Sequence, residues 1–269
     1  MTKVALSGAG GNMGRILRVE LPKRGVDLRS AGGRTPLEPL RPGEDVMHGD
    51  LRDPGVVDQL LNGVGVLIHL AGTSVERPLP EIIENNLVAL HQVYEGARRN
   101  GVRRIVFASS NHAFGMYSVK DKLKLDAPFR PDGFYGLSKV WGEAMARMYW
   151  DKHGIEGISV RIGTAMGRPP ENFRQLSTWF GTDDLVDLMM RCIETPDVGY
   201  TAVWGVSDNT RSYWDNTGEC LGYRPRQNAE DYAAGILGQP NPLDPIAQRY
   251  QGGQFVTIDF TPMERRRKT

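Results

Sequence analysis

Cysteine is nearly absent. The 269 residues hold two, Cys192 and Cys220. They lie far apart and in no metal-like spacing, so neither a disulfide framework nor a thiolate metal site is expected. Cys192 falls in the apolar run LVDLMMRCIE, where a thiol serves as a small buried hydrophobe. No apolar run is long enough to span a bilayer. The N-terminus passes directly into strand-like KVALS, without the charged and apolar regions of a secretory leader. Together these absences place the expected compartment in the reducing cytoplasm. An excess of charge is missing too. Lys and Arg number 33 against 32 Asp and Glu, a net charge of +1. No global field therefore draws nucleic acid or a membrane surface. The one basic cluster, Arg265-Arg266-Arg267-Lys268, is expected to be a frayed tail over 263–269. Repeats and low-complexity segments do not occur.

Strand–helix alternation is what the chain does have. Strands are predicted at Lys3–Ser7, Asp27–Ala31, Val46–Gly49, Val64–Leu70, Arg104–Ser109, Ile158–Ile162 and Ala202–Val206. Runs such as VLIHL and RIVFAS do not alternate cleanly, as suits strands covered on both faces of a parallel sheet. Helices are predicted at Gly11–Leu21, Gly55–Leu61, Pro80–Asn100 and Tyr135–His153. Asp53 is a candidate N-cap with Pro54 behind it, and Gly101 and Gly154 are stop signals. The expected fold class is α/β, a Rossmann-type doubly wound parallel sheet. One NAD(P)-binding domain over 1–262 is expected. Its small substrate-binding portion begins after about residue 164, where the pattern loosens. Residues 115–133 read as an irregular, substrate-facing loop.

Gly8, Gly11 and Gly14 form G-x-x-G-x-x-G directly after the first strand, with Asn12 and Met13 opening the helix. A tight turn, close backbone approach and helix N-terminal amides suit a pyrophosphate. A glycine-rich turn without a ligand is the bland alternative. About 20 residues on, an acid usually holds the ribose 2′-hydroxyl of NAD. No carboxylate stands there. Gly32 and Arg34 occupy the stretch, and an arginine can accept a 2′-phosphate, which points to NADP, unless Arg34 simply faces solvent. Asp50, followed by Leu51, can accept from the adenine amino group or can be a turn aspartate. Leu70-Ala71-Gly72 leaves small residues where a cofactor can lie. Asn86, with Asn85 as the alternative, can brace the sheet or the lysine through water, or can be a solvated helix position.

Tyr135 and Lys139 stand four residues apart in FYGLSKVWGE. On a helix they share a face, and the cation favours the phenolate. The expectation is a tyrosine base well below its usual pKa of about 10. Ser109-Ser110 lies one strand and one loop upstream, where a hydroxyl can hold a substrate oxygen. Alone, the tyrosine–lysine spacing is also that of an ordinary solvated helix face.

Together these pieces resemble the extended short-chain dehydrogenase/reductase family, and within it the uronate dehydrogenases. The finer likeness is carried by HLAGTSVERP (69–78), FASSNH (107–112), RPDGFYG (130–136), VRIG (160–163), NFRQLSTWF (172–180), YWDN (213–216) and YQGGQFV (250–256). The resemblance implies NAD-linked oxidation of the anomeric carbon of a hexuronic acid to an aldarolactone. It implies Tyr135 as base, Ser110 polarising the substrate oxygen, and Lys139 lowering the tyrosine pKa while holding the nicotinamide ribose. Ser109 and Ile162 join the cofactor contacts, and Ser74, Ser110, Asn111, His112, Thr164 and Arg174 become substrate contacts. The missing strand-two acid departs from the family, and Thr164 stands where serine is common. A uronate carboxylate independently suits the planar fork of Arg174. A surface ion pair for Arg174, a satisfied loop histidine for His112, and turn roles for Ser74 and Asn111 are the alternatives. Rival readings are a sugar epimerase or reductase of the same fold, or a dinucleotide-sensing protein without catalysis. The uronate epimer and the oligomeric state, homo-oligomer included, stay open.

Overall fold

In the computed structural model, which describes residues 2–33, 36–215 and 218–262, the apolar runs pair into one parallel sheet. Its strands are β1 (Val4–Ser7), β2 (Leu28–Ala31), β3 (Asp45–Met47), β4 (Val66–His69), β5 (Arg104–Ser110), β6 (Glu156–Ile162) and β7 (Tyr200–Gly205). The order β3-β2-β1-β4-β5-β6-β7 reverses direction between β1 and β4. Crevices outside the carboxyl ends of strands open at such a switch point. The register aligns those ends: Ser7 faces both Ala31 and His69, and Ser110 faces Ile162.

The absent alternation has its cause in the two covered faces. Val4 and Leu6 of β1 pack with Leu17, Leu21, Leu188 and Cys192 on one side of the sheet. Ala5 packs with Leu60, Leu67, Val93 and Ile105 on the other. Each face must therefore supply apolar side chains from every strand. The first side is covered by α1 (Asn12–Lys23), the second by α2 (Pro54–Leu61) and by the helical run α3 (Leu79–Ile82), a π-helical turn (Ile83–Val88) and α4 (Ala89–Asn100). The helix α5 (Phe134–His153) joins this second layer. Asp53 caps α2 by accepting from the Gly55 amide at 2.8 Å. Gly101 and Gly154 end α4 and α5 with φ of 68° and 66°, in the left-handed region.

The expected fold class holds. Three local differences have physical reasons. The run LVDLMMRCIE lies in a helix that the sequence reading omits, α7 (Thr182–Glu194), after the short α6 (Gln175–Thr178). Leu185, Leu188, Met189 and Cys192 bury one stripe of it against the sheet. The predicted helix Pro80–Asn100 is broken by the π-helical turn, which carries Asn85 and Asn86. β7 begins two residues early, at Tyr200. Beyond it the chain is short turns and α8 (Ala233–Leu237). The 263–269 tail and Asn216 lie outside the described residues. Among the described residues no helix is long and apolar enough to cross a membrane.

Candidate active site

The site grows from the turn after β1. Gly8 has φ +73°, and a Cβ there would sit 2.7 Å from the Ala71 amide nitrogen. A Cβ on Gly14 would collide with the Gly8 carbonyl oxygen. Only glycine lets the turn press on the exit of β4 while α1 packs on the turn. Gly11 caps α1 without a side-chain hydrogen bond, and the first turn holds no acid. Its free amides are therefore left to an anion.

They face a cavity of about 1020 Å³. Gly11, Asn12, Met13 and Gly14 line its floor, with Gly32, Gly33, Asp50 and Leu51 beyond the ends of β2 and β3. Leu70, Ala71, Gly72, Ser109, Lys139 and Ile162 continue the wall across β4, β5 and β6. Asp50 is bound by the Arg52 guanidinium at 2.6 Å while it lines this wall. Arg34 lies outside the described residues. Arg15 lines the cavity and donates to the Gly10 carbonyl at 3.0 Å; no sequence signal beyond its place after Gly14 marks it. An elongated cavity, free amides and a glycine floor fit a dinucleotide.

Two expected contacts do not reach the cavity. Asn86 stands behind Gly72, clasping Thr73 through N–H···Oδ1 at 2.7 Å and Nδ2–H···O at 3.0 Å, and donating to Ser138 Oγ at 2.9 Å. It braces the loop and α5 directly, with no place against the cofactor wall. Asn85, one residue away, lines the cavity instead. Asn111 turns inward, 1 % exposed. With its amide oriented to satisfy both ends, it donates to the Ile162 carbonyl at 3.1 Å and accepts from Arg174 Nη2 at 2.7 Å. It holds the arginine and is not part of the cavity wall.

The remaining candidates converge. Ser74, Ser110, His112, Tyr135, Thr164 and Arg174 line one end of the same cavity. Tyr135 and Lys139 come from the first turns of α5. That helix has no cap from Gly133, so Glu76, from the loop bearing Ser74, accepts from the amides of Phe134 and Tyr135 at 2.9 Å each. Burial pushes the Tyr135 phenol up to about 12; a hydrogen bond with Ser110 opposes this and the Asp132 charge adds to it. Lys139 is pushed down to about 8 by burial. Its ammonium donates to the Ala108 carbonyl at 2.8 Å and lies 5.3 Å from the Tyr135 ring centroid. The expectation that Lys139 brings Tyr135 below its usual range is thus not met by the protein's own groups. Loss of water around the phenol outweighs a cation that is itself desolvated and turned to a carbonyl.

The opposite wall is polar. Thr178 donates its hydroxyl to the Arg174 carbonyl at 3.2 Å, so Thr164, 2.8 Å from Thr178 Oγ1, must donate to it. Thr164 Oγ1 is left as an acceptor toward the cavity. Arg174 is half-buried, its pKa lowered first by burial, with Tyr213 and Asp132 opposing. Its Nε donates to the Gln251 carbonyl at 2.8 Å, and among the described residues it forms no ion pair. Phe255 stacks on His112 with ring centroids 4.1 Å apart. Glu76, Asp132, Gln251 and Phe255 are not expected from the sequence as site residues: the first three act through a neighbour, and Phe255 reaches the cavity wall from a remote segment.

Comparison with known proteins gives consistent results. Residues 4–211 match the profile described as the NAD dependent epimerase/dehydratase family. The chain is 43% identical over 256 residues to the uronate dehydrogenase of Pseudomonas syringae pv. tomato, covering 94% of this chain and 93% of that one. Uronate dehydrogenase from Agrobacterium tumefaciens, crystallised with NAD, superposes with a TM-score of 0.89 at 42% identity, covering 95% of this chain and 97% of that one. A glucuronic acid dehydrogenase from Chromohalobacter salexigens gives a TM-score of 0.89 at 37% identity, covering 95% and 96%.

Proposed function

Since this chain belongs to the NAD dependent epimerase/dehydratase family, we propose that it oxidises the C1 hydroxyl of a hexuronic acid to the aldarolactone, with NAD(P)+ as oxidant. Arg174 carries this reading. It is a cation on the cavity wall, fixed by Gln251 and Asn111, with no ion-pair partner among the described residues. Burial penalises such a charge unless something anionic meets it, and a planar guanidinium binds a carboxylate through two hydrogen bonds.

The roles follow from position. Amides at the start of α1 hold the pyrophosphate, and Leu70, Ala71 and Ile162 flank the cofactor. NAD(P)+, when bound, would supply the acceptor for the C1 hydride. Tyr135 takes the C1 hydroxyl proton, Ser110 holds the same oxygen, and Lys139 steadies the nicotinamide ribose. Ser74, His112 and Thr164 meet sugar hydroxyls. The C1 hydroxyl oxygen loses its proton, C1 loses one hydride, and the carbon becomes a carbonyl within the closed ring. Two unpaired thiols, Cys192 and Cys220, suit the cytoplasm.

Both nucleotides belong to this reading. The relatives favour NAD, whereas the end of β2 offers Gly32 and Gly33 without a carboxylate, and Arg34 follows in the sequence. Initial rates with glucuronate and galacturonate, each with NAD+ and NADP+, test the whole. Turnover of a free uronate to a lactone is expected, with measurable rates on both nucleotides and none on a nucleotide-sugar. Failure on both uronates would remove the reading, and use of NAD+ alone would assign Arg34 to solvent.

The carboxylate contact has its own test. Arg174→Gln is expected to raise KM for the uronate about 10–100-fold, the worth of hydrogen bonds to a charged group. KM for the corresponding neutral hexose should stay within about threefold. Equal losses on both sugars would place the arginine's role elsewhere.

A further inference from the structure

We propose that Asp132 is a positioning residue that acts through His112, fixing the imidazole in the form whose Nε2 accepts a hydrogen bond from a hydroxyl of the bound sugar. This rests on the sugar-oxidation reading of the site. His112 Nδ1 lies 2.6 Å from Asp132 Oδ2. The Asp132 side chain is fully buried, at 0% exposure, and its other oxygen has no hydrogen-bond partner among the described residues. A carboxylate only accepts, so Nδ1 carries the hydrogen. In the neutral ring Nε2 then holds a lone pair.

The surroundings are built for this pair. A Cβ on Gly115 or on Gly252 would collide with Asp132 Oδ2, so two separate segments leave room for the carboxylate. The Asp132 amide donates to the His112 carbonyl at 3.3 Å, tying the two residues a second time. Phe255 stacks on the ring at an interplanar angle of 19°, and Tyr135 meets it edge-on with centroids 5.7 Å apart. Ring rotation is blocked on its face, and Nδ1 is tied to a residue off the cavity wall. Because His112 lines the cavity and Asp132 does not, the Nε2 edge is the one presented to substrate. Beside Ser74, Ser110 and Tyr135, the wall then offers two acceptors, His112 Nε2 and Thr164 Oγ1, and one cation, Arg174. That is the complement of a ring bearing several hydroxyl donors and one carboxylate. Asparagine at position 132 could instead donate to Nδ1, which would turn Nε2 into a donor facing those same hydroxyls.

The test combines spectroscopy with kinetics. Nitrogen-15 spectra of the ligand-free enzyme should show the His112 hydrogen on Nδ1. A ring protonated on Nε2 would overturn the proposal. This measurement needs neither a variant nor a uronate, so it stands apart from the test of the activity itself. In Asp132→Asn the Nδ1-protonated signature should be lost, and KM for the uronate should rise on the order of tenfold, with the Kd for NAD+ unchanged. In a His112→Ala background the same substitution should leave KM where His112→Ala alone puts it. An equal further loss there would mark Asp132 as merely structural and sink the idea.

Discussion

Tyr135→Phe is expected to lower kcat by about 10²–10⁴-fold while the Kd for NAD+ changes less than about twofold. The substitution removes one hydroxyl from a ring that is 7% exposed and keeps its volume, so packing of the ring is preserved. What disappears is the proposed proton acceptor and the partner of Ser110. Burial and the Asp132 charge hold the phenol at about 12, above its usual 10. A raised tyrosine pKa disfavours the phenolate, so the wild-type rate should climb as pH rises toward that value. The variant should lose this climb along with its rate. Steady-state kinetics across pH and a fluorescence titration with NAD+ separate the two quantities. A variant within about threefold of wild-type kcat would take Tyr135 out of the chemistry. The same comparison tests the lysine. With Lys139 pushed down to about 8 and turned to the Ala108 carbonyl, the protein alone does not lower the tyrosine.

Legibility followed the range of each signal. Helix ends were readable because Gly101, Gly154 and Asp53 act within a turn of where they stand. The glycine loop and the tyrosine–lysine pair were readable for the same reason: each needs only one strand, one turn or one helix face. Facing was not readable. Ser110 and Asn111 are neighbours, yet one lines the cavity and the other points inward to Arg174, because successive residues leaving a strand turn to opposite sides. Asn85 and Asn86 exchange places for a related reason, since the π-helical turn shifts which residue faces the cavity. The helix over Thr182–Glu194 does carry its own period, with Leu185, Leu188, Met189 and Cys192 on one stripe between Asp183, Asp187 and Arg191. Asp132, Gln251 and Phe255 stand in the RPDGFYG and YQGGQFV stretches, yet nothing local marks what they touch. Only folding brings a carboxylate and a stacking ring to His112, or a carbonyl to Arg174.

The second large effect concerns what keeps the strand bearing Ser109 and Ser110 in place. Glu143 lies one helical turn beyond Lys139 on α5, at 1% side-chain exposure, and binds Arg161 of β6 with Nη2–H···Oε2 at 2.9 Å. Ser109, beside Ser110, donates to Glu143 at 2.6 Å. Arg161 also donates to the Leu125 carbonyl at 2.7 Å, which pins the 115–133 loop, and its guanidinium lies 4.4 Å from the Phe114 ring centroid. One carboxylate thus joins α5, β5, β6 and the loop behind the substrate end. Glu143→Ala leaves a buried guanidinium without its counter-charge and Ser109 without an acceptor. The expected cost is about 3–5 kcal/mol, which at this chain length lowers Tm by roughly 10 °C. Replacing both partners, Glu143→Leu with Arg161→Met, should cost far less, because no unpaired charge is left in the core. Its activity should nevertheless fall, since neither Ser109 nor Leu125 is then held. Calorimetry on the single and double variants, with kcat measured below their melting range, separates stability from placement. A single variant that melts within about 2 °C of wild type would show that Arg161 finds another partner or reaches water. A double variant with full activity would show that Ser110 and Lys139 keep their places without this network.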